Sequence, residues 1–228
     1  MTAPVKKSPS VKQKQRLDRI IQRLGKVYPN AKLDLDFADA LELLIALILA
    51  AQARDDLVRQ ITPDLFKRYR TAGDYAKAPL PELEQNIGKI NFYRNKARSI
   101  HNCCKELVER FGGKVPDNLE DLLSLPGVGR KTANIVLGNA FGQRTIGVDT
   151  HVMRLSQRLG FTKQTDPDKI EFDLMPLVPG RQRVHFCHLP QYHGRRVCVA
   201  KIPRCPDCTI RGLCPYPDKT TRTNSPER

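Results

Sequence analysis

A chain of 228 residues, 40% of them hydrophobic, is long enough for one large domain or two small ones and too apolar for wholesale disorder. Its formal charge of +15 points to a polyanionic partner, a class that ribosomal and heparin-binding surfaces share. No signal core follows the basic start, and the longest apolar run, residues 43–51, is far short of a membrane span. With a cytoplasmic setting expected (nucleoid-associated in a bacterium), the seven cysteines favour metal or cluster ligation over a disulfide framework.

The charge is unevenly spread. Residues 33–143 hold 15 cations and 15 carboxylates, residues 1–32 hold nine and one, and residues 144–228 hold 15 and eight. The whole excess therefore lies in the two ends. They make one basic face if they fold against each other, and solvated tails if they do not.

In chain order, residues 1–12 combine Pro, Ser and Lys without periodicity and read as a mobile basic tail. Residues 14–27 place Leu17, Ile20, Ile21, Leu24 and Val27 on one helical stripe, which Tyr28, Pro29 and Asn30 end. Residues 39–53 are apolar nearly all round and predict a central core helix. Further helices are predicted over 55–69, 81–87, 94–111, 119–125, 130–141, 151–159 and 167–178. No segment alternates as a strand does, so the fold class is all-α. Residues 181–196, with His185, Cys187, His188 and His193 around Pro190, read as a loop-like stretch whose histidines are structural more than metal ligands. Cys103 and Cys104 are adjacent on one predicted helix and face a common centre poorly; with Cys187 they read as packing or exposed residues. Residues 219–228 read as a second tail.

Cys198, Cys205, Cys208 and Cys214 are spaced C-x6-C-x2-C-x5-C. Such short spacing lets four thiolates converge within one compact loop, on a 4Fe–4S cluster or a tetrahedral zinc ion. Structural zinc commonly uses two C-x2-C pairs, and with only one here the uneven spacing favours the cluster. Lys201, Arg204 and Arg211 lie between the ligands, where a rigid loop would grip phosphates.

Leu125-Pro126-Gly127-Val128-Gly129 joins two predicted helices, and Arg130-Lys131-Thr132-Ala133 begins the second. Gly127 and Gly129 permit a tight turn and close approach of backbone N–H groups to a phosphate. Lys131, near the positive end of a helix and expected to be partly desolvated, is a candidate amine nucleophile or a phosphate ligand. Asp149, in Val148-Asp149-Thr150-His151-Val152, precedes a helix and suits either a cap or a carboxylate that steadies a cation at a sugar C1′.

Taken together, LPGVGRKTAN, VDTHV and the cysteine loop resemble the endonuclease III family of helix–hairpin–helix DNA glycosylases, from about residue 16 to residue 214. The resemblance implies two helical domains flanking a DNA-binding cleft. One is a six-helix barrel with the helix–hairpin–helix, here residues 33–143; the other, residues 13–32 plus 144–218, carries one 4Fe–4S cluster. It implies a bifunctional glycosylase and apurinic-site lyase that removes oxidised pyrimidines. Lys131 would be the nucleophile and Asp149 its carboxylate partner. Gln52 would fill the gap left by the flipped nucleotide, Phe92 would stand where the family usually has a leucine wedge, and His151 would contact phosphate. The expected partner is duplex DNA with damaged bases or abasic sites, bound by a monomer through Gly127, Gly129, Arg130, Lys201 and Arg204 as well, with no membrane association.

Two departures stand out. Arg54 follows Ala-Gln-Ala where the family commonly has threonine, and Pro190 is expected to disturb the apolar helix the family shows near residues 188–195. A monofunctional mismatch glycosylase and a non-catalytic helix–hairpin–helix module are the alternatives; related adenine-mismatch enzymes lack a lysine at the hairpin.

Overall fold

The computed structural model describes residues 9–221. Residues 1–8 and 222–228, most of the two expected tails, lie outside the described residues. The described part of those tails is built into the fold. Helix α1, Val11–Val27, starts inside the first of them because Ser10 and Gln13 close a capping box. In the second, Thr220 Oγ1 accepts from the Cys205 amide at 3.1 Å.

Among the described residues every regular element is helical. Leu17, Ile20, Ile21 and Leu24 are buried as their spacing predicts, while Val27 is exposed on the last turn. Helix α2, Ala40–Ala50, is capped by Asp39, whose Oδ1 accepts from the Glu42 amide at 2.9 Å. Seven consecutive buried residues, Leu43 to Leu49, make it the centre of its core. Truncating one of its leucines to alanine should cost about 2–5 kcal/mol. It stops three residues before the predicted end because Ala51 leaves helical geometry, with ψ 115°, and Gln52 then takes the left-handed conformation, with φ +54°.

Helices α3 (Asp55–Arg68), α4 (Ala72–Lys77), α5 (Leu80–Asn86), α6 (Tyr93–Phe111), α7 (Leu119–Ser124) and α8 (Arg130–Ala140) follow. The six-residue α4 is too short to show a stripe, but a Thr71–Asp74 capping box marks its start. It makes seven helices over residues 33–143, one more than periodicity reveals. Helices α9 (Thr150–Arg158), α10 (Pro167–Leu174) and α11 (Arg183–Arg196) complete the chain. Helix α10 ends four residues short of the expectation, where Pro176 offers no amide to continue the ladder.

The loop-like reading of residues 181–196 is wrong. Residues 183–196 form α11, with Pro190 inside it, after a 3-10 turn at Gly180–Gln182. Phe186, Cys187, His188, Leu189, Pro190, His193 and Gly194 are all buried, and the helix packs on α9 and α1. Interior packing on this scale, about 1.5–3 kcal/mol for each large apolar side chain, offsets the roughly 3 kcal/mol that an internal proline costs. Close packing also explains Gly194. A Cβ there would lie 2.6 Å from His151 Nδ1 and 2.8 Å from Arg154 Nη2.

The chain divides into two compact units, Leu33–Gln143 and a second assembled from both chain ends. Each has its own apolar core. The boundaries fall after Lys32 and before Arg144, so the whole formal excess of +15 belongs to the unit of the chain ends.

Candidate functional site

In the unit Leu33–Gln143 the hairpin between α7 and α8 is built by the backbone. Gly127 has φ +79°, and a Cβ on it would sit 2.8 Å from Ser99 Cβ on α6, so only glycine fits. Gly129 is the N-cap of α8 and contributes no side chain to cap it. The first N–H groups of α8 are thus offered without a capping side chain, at the positive end of the helix dipole. Lys131 stands exposed on that first turn, and Arg130 beside it is half-buried. The exposure of Lys131 departs from the partial desolvation expected of it.

Gln52 and Phe92 share an uncommon backbone. They are the two non-glycine residues with positive φ among the described residues, at +54° and +59°. Gln52 is exposed in the turn after α2, and Phe92, 62% exposed, is the N-cap of α6. Left-handed conformations cost about 1–3 kcal/mol for such residues and concentrate at functional positions. Arg54, the departure from the family pattern, pairs with Asp56 across the start of α3.

In the unit of the chain ends, Asp149 is the N-cap of α9. Its Oδ1 accepts from the Val152 amide at 2.7 Å, so the capping role weighed from sequence is real. His151, half-buried, has its Nδ1 3.1 Å from Arg154 Nη2. Arg154 also donates to the carbonyls of Gly194 and Cys198, at 3.1 and 3.2 Å. Behind Asp149, His188 is buried. Its pKa is pushed down to about 4 by burial and then by His185, against an opposing pull from Asp149. Cys187 is pushed up to about 12 by burial.

The four loop cysteines line one cavity, walled by Leu155, Leu159, Val197, Pro203 and Ile210. Arg158 organises the rim. It donates to Cys198 Sγ at 3.2 Å and to the carbonyls of Val199 and Ala200 at 2.8 and 2.7 Å. Arg16 reaches across from α1 to the Leu213 carbonyl at 3.0 Å. His193 Nε2 lies 3.4 Å from Cys208 Sγ, and its Nδ1 lies 3.1 Å from the Tyr28 hydroxyl. Burial, and then the thiolates of Cys198, Cys214 and Cys205, push Cys208 up to about 11, against the Ile210 amide that hydrogen-bonds it. Burial raises Cys214 as well. Among the described residues, no three His, Cys, Asp or Glu side chains close on a point that would hold a single metal ion. Of the proposed phosphate contacts, Lys201 is exposed, whereas Arg204 is already paired with Asp207 at 2.8 Å. The remaining three cysteines, Cys103, Cys104 and Cys187, are all buried away from this cavity.

Sequence reasoning passed over Lys96, buried with its Nζ 2.7 Å from the Leu49 carbonyl. Its signal was present: it occupies a position of the stripe Lys96, Ile100, Cys103, Leu107 that faces the core. It also passed over Arg158, for which no local pattern exists, since its partners lie some 40 residues away.

Residues 45–180 match the profile of the HhH-GPD superfamily base excision DNA repair proteins. Endonuclease III of Synechocystis sp. is 48% identical over 204 residues, 89% of this chain and 93% of the relative. That of Bacillus subtilis is 40% identical over 201 residues, covering 88% and 92%. A trapped covalent intermediate of endonuclease III with DNA superposes with a TM-score of 0.84 at 43% identity, over 89% of this chain and 96% of that one. A thermostable thymine-DNA glycosylase shares the fold at a TM-score of 0.81 and 24% identity, over 91% and 98%. No helix among the described residues is long and apolar enough to cross a membrane. An all-helical chain with this hairpin, this cysteine loop and these relatives belongs to the endonuclease III family of HhH-GPD base-excision repair proteins, whose activity is that of a DNA glycosylase and apurinic-site lyase.

Proposed function

We propose that Lys131 is the amine that opens the damaged nucleotide, that Asp149 serves the cation formed there, and that the substrate base is an oxidised pyrimidine in duplex DNA. The observation that carries this reading is an exposed lysine on the first turn of an uncapped helix, directly after the Gly127 turn. The hairpin holds a phosphate through backbone N–H groups and so fixes the strand without reading bases. Gln52 enters the gap in the stack and Phe92 the neighbouring base step. His151, Arg130, Lys201 and Arg204 add contacts to the backbone, Arg204 by leaving Asp207.

The chemistry then follows from two side chains. The neutral Lys131 amine forms a bond to C1′ as the C1′–N bond to the base breaks; the base departs with the electron pair and takes a proton. The C1′–ring oxygen bond opens, its oxygen is protonated, and a Schiff base to Lys131 remains. Loss of a proton from C2′ and of the 3′ phosphate from C3′ nicks the strand, and water releases the amine. The Asp149 carboxylate offsets positive charge at C1′ while the base leaves. This is why a monofunctional reading is weaker, since such an enzyme needs no lysine at the hairpin.

Cys198, Cys205, Cys208 and Cys214 are the residues that would hold one 4Fe–4S cluster. In support, they surround a cavity rather than meeting at a point, and the N–H donors of Arg158 and Ile210 face their sulfurs. Such a cluster supplies a rigid centre that fixes the basic loop.

The test is borohydride reduction on duplexes with an oxidised pyrimidine, a mismatch or a bare abasic site. A covalent adduct with the first and third that is lost in Lys131→Gln supports the reading. No adduct with the wild type, or equal adduct with the variant, overturns it. Preference for the mismatch duplex would overturn the substrate assignment alone.

A further inference from the structure

Helix α6 presents a buried stripe of Lys96, Ala97, Ile100, Cys103, Cys104 and Leu107 to the core. A lysine at the head of that stripe is costly, because its charge leaves water. Lys96 is 6% exposed and has no carboxylate partner among the described residues; burial lowers its pKa. An apolar side chain would fill the same space with no charge to desolvate, so packing alone does not account for an ammonium here.

What the ammonium holds is informative. Its Nζ donates to the Leu49 carbonyl at 2.7 Å, in the last turn of α2, where carbonyls lack helical partners and carry the negative end of the dipole. Three residues later stands Gln52, at φ +54°. At the other end, the Lys96 amide donates to the Phe92 carbonyl at 3.1 Å, and Phe92 holds φ +59°. One buried side chain thus ties the end of α2 to the first turn of α6, with a strained residue just beyond each end of the tie.

We propose that Lys96 is a positioning residue for DNA. Its ammonium locks the two turns together, so that Gln52 and Phe92 meet the duplex as one preorganised pair and need no ordering at the moment of flipping. The proposal rests on the assignment of Gln52 to the gap and Phe92 to the base step.

A double-mutant cycle tests it. Single-turnover excision is measured on an oxidised-pyrimidine duplex, together with the fluorescence of a 2-aminopurine placed beside the lesion, which reports unstacking. Lys96→Met is expected to lower excision about 10-fold and to abolish the fluorescence rise. Gln52→Ala/Phe92→Ala is expected to do the same, and adding Lys96→Met to it to cost less than about 2-fold more. Lys96→Arg, which keeps a charged donor, recovers most of the rate and the fluorescence. If Lys96→Met does not fold, as thermal melting would show, the cycle is run with Lys96→Gln.

Losses that multiply in full on the Gln52→Ala/Phe92→Ala background, or an unimpaired Lys96→Met, overturn the positioning role and leave the wedge assignment standing. An unimpaired Gln52→Ala/Phe92→Ala overturns the wedge assignment, and the role of Lys96 falls with it.

Discussion

In the unit Leu33–Gln143 cations and carboxylates balance, and its buried polar and charged residues are Thr62, Lys96 and Asn134. The unit of the chain ends carries the whole excess of +15 and buries Ser156, Thr162, Glu171, His188 and His193. The first presents the features assigned to DNA through the backbone: a left-handed Gly127, an uncapped α8, and the positive φ of Gln52 and Phe92. The second holds its features by side chains. Arg16, Arg154 and Arg158 clamp carbonyls of the loop that carries the four cysteines. Reactive geometry fixed by backbone is insensitive to salt and to proton uptake; geometry fixed by charged and titrating groups is not.

That contrast can be broken in three places. The largest effect is expected at Asp149, which both caps α9 and is assigned to the chemistry. Asn caps a helix as well as Asp does. Asp149→Asn should therefore melt close to the wild type while excision falls roughly 10²–10³-fold. Asp149→Ala should lose about 1 kcal/mol of stability besides. Full activity in the Asn variant would reduce Asp149 to a cap.

Next in size is an acid response of the unit of the chain ends. The ordinary histidine value is 6.5, and burial lowers His188 to about 4. Between these values the unfolded chain binds a proton that folded His188 refuses. The stability is intact above pH 6.5 and lost as pH falls towards 4, by roughly 3 kcal/mol at most. His188→Gln should flatten this part of the profile, measured by urea unfolding from pH 7 to pH 4. An unchanged profile would mean that His188 takes up its proton in the fold as readily as in the unfolded chain.

The smallest effect concerns DNA affinity. Lys201→Ala and Arg204→Ala should each lower the slope of log affinity against log salt by about one, without changing excision at saturating DNA. The exposed Lys77 on α4, in the neutral unit, serves as control, and Lys77→Ala should leave the slope unchanged. Equal losses from both units would remove the contrast in charge.

Much of this was legible in the sequence for physical reasons. The stripe of Leu17, Ile20, Ile21 and Leu24 is buried because a 3.6-residue period leaves one face for the core. The hairpin was legible because Gly127 stands where no Cβ fits. Helix α11 was not, since its stability comes from burial against α9 and α1 and its own residues, with Pro190 among them, argue for a loop. Of the candidate site, the loop cysteines and Lys131 were proposed from spacing and context. The exposure of Lys131, the pairing of Arg204 with Asp207, and the tie from Lys96 to Leu49 depend on tertiary placement that no local pattern encodes.

The central claim is that the exposed lysine after the hairpin turn, and no other amine, carries the sugar. Mass spectrometry of proteolysed, borohydride-reduced enzyme–DNA adduct locates that bond directly. The account predicts the deoxyribose remnant on the peptide containing Lys131, at its Nζ, with none on the peptide containing Lys96. Attachment to another lysine or to the N-terminal amine would contradict it.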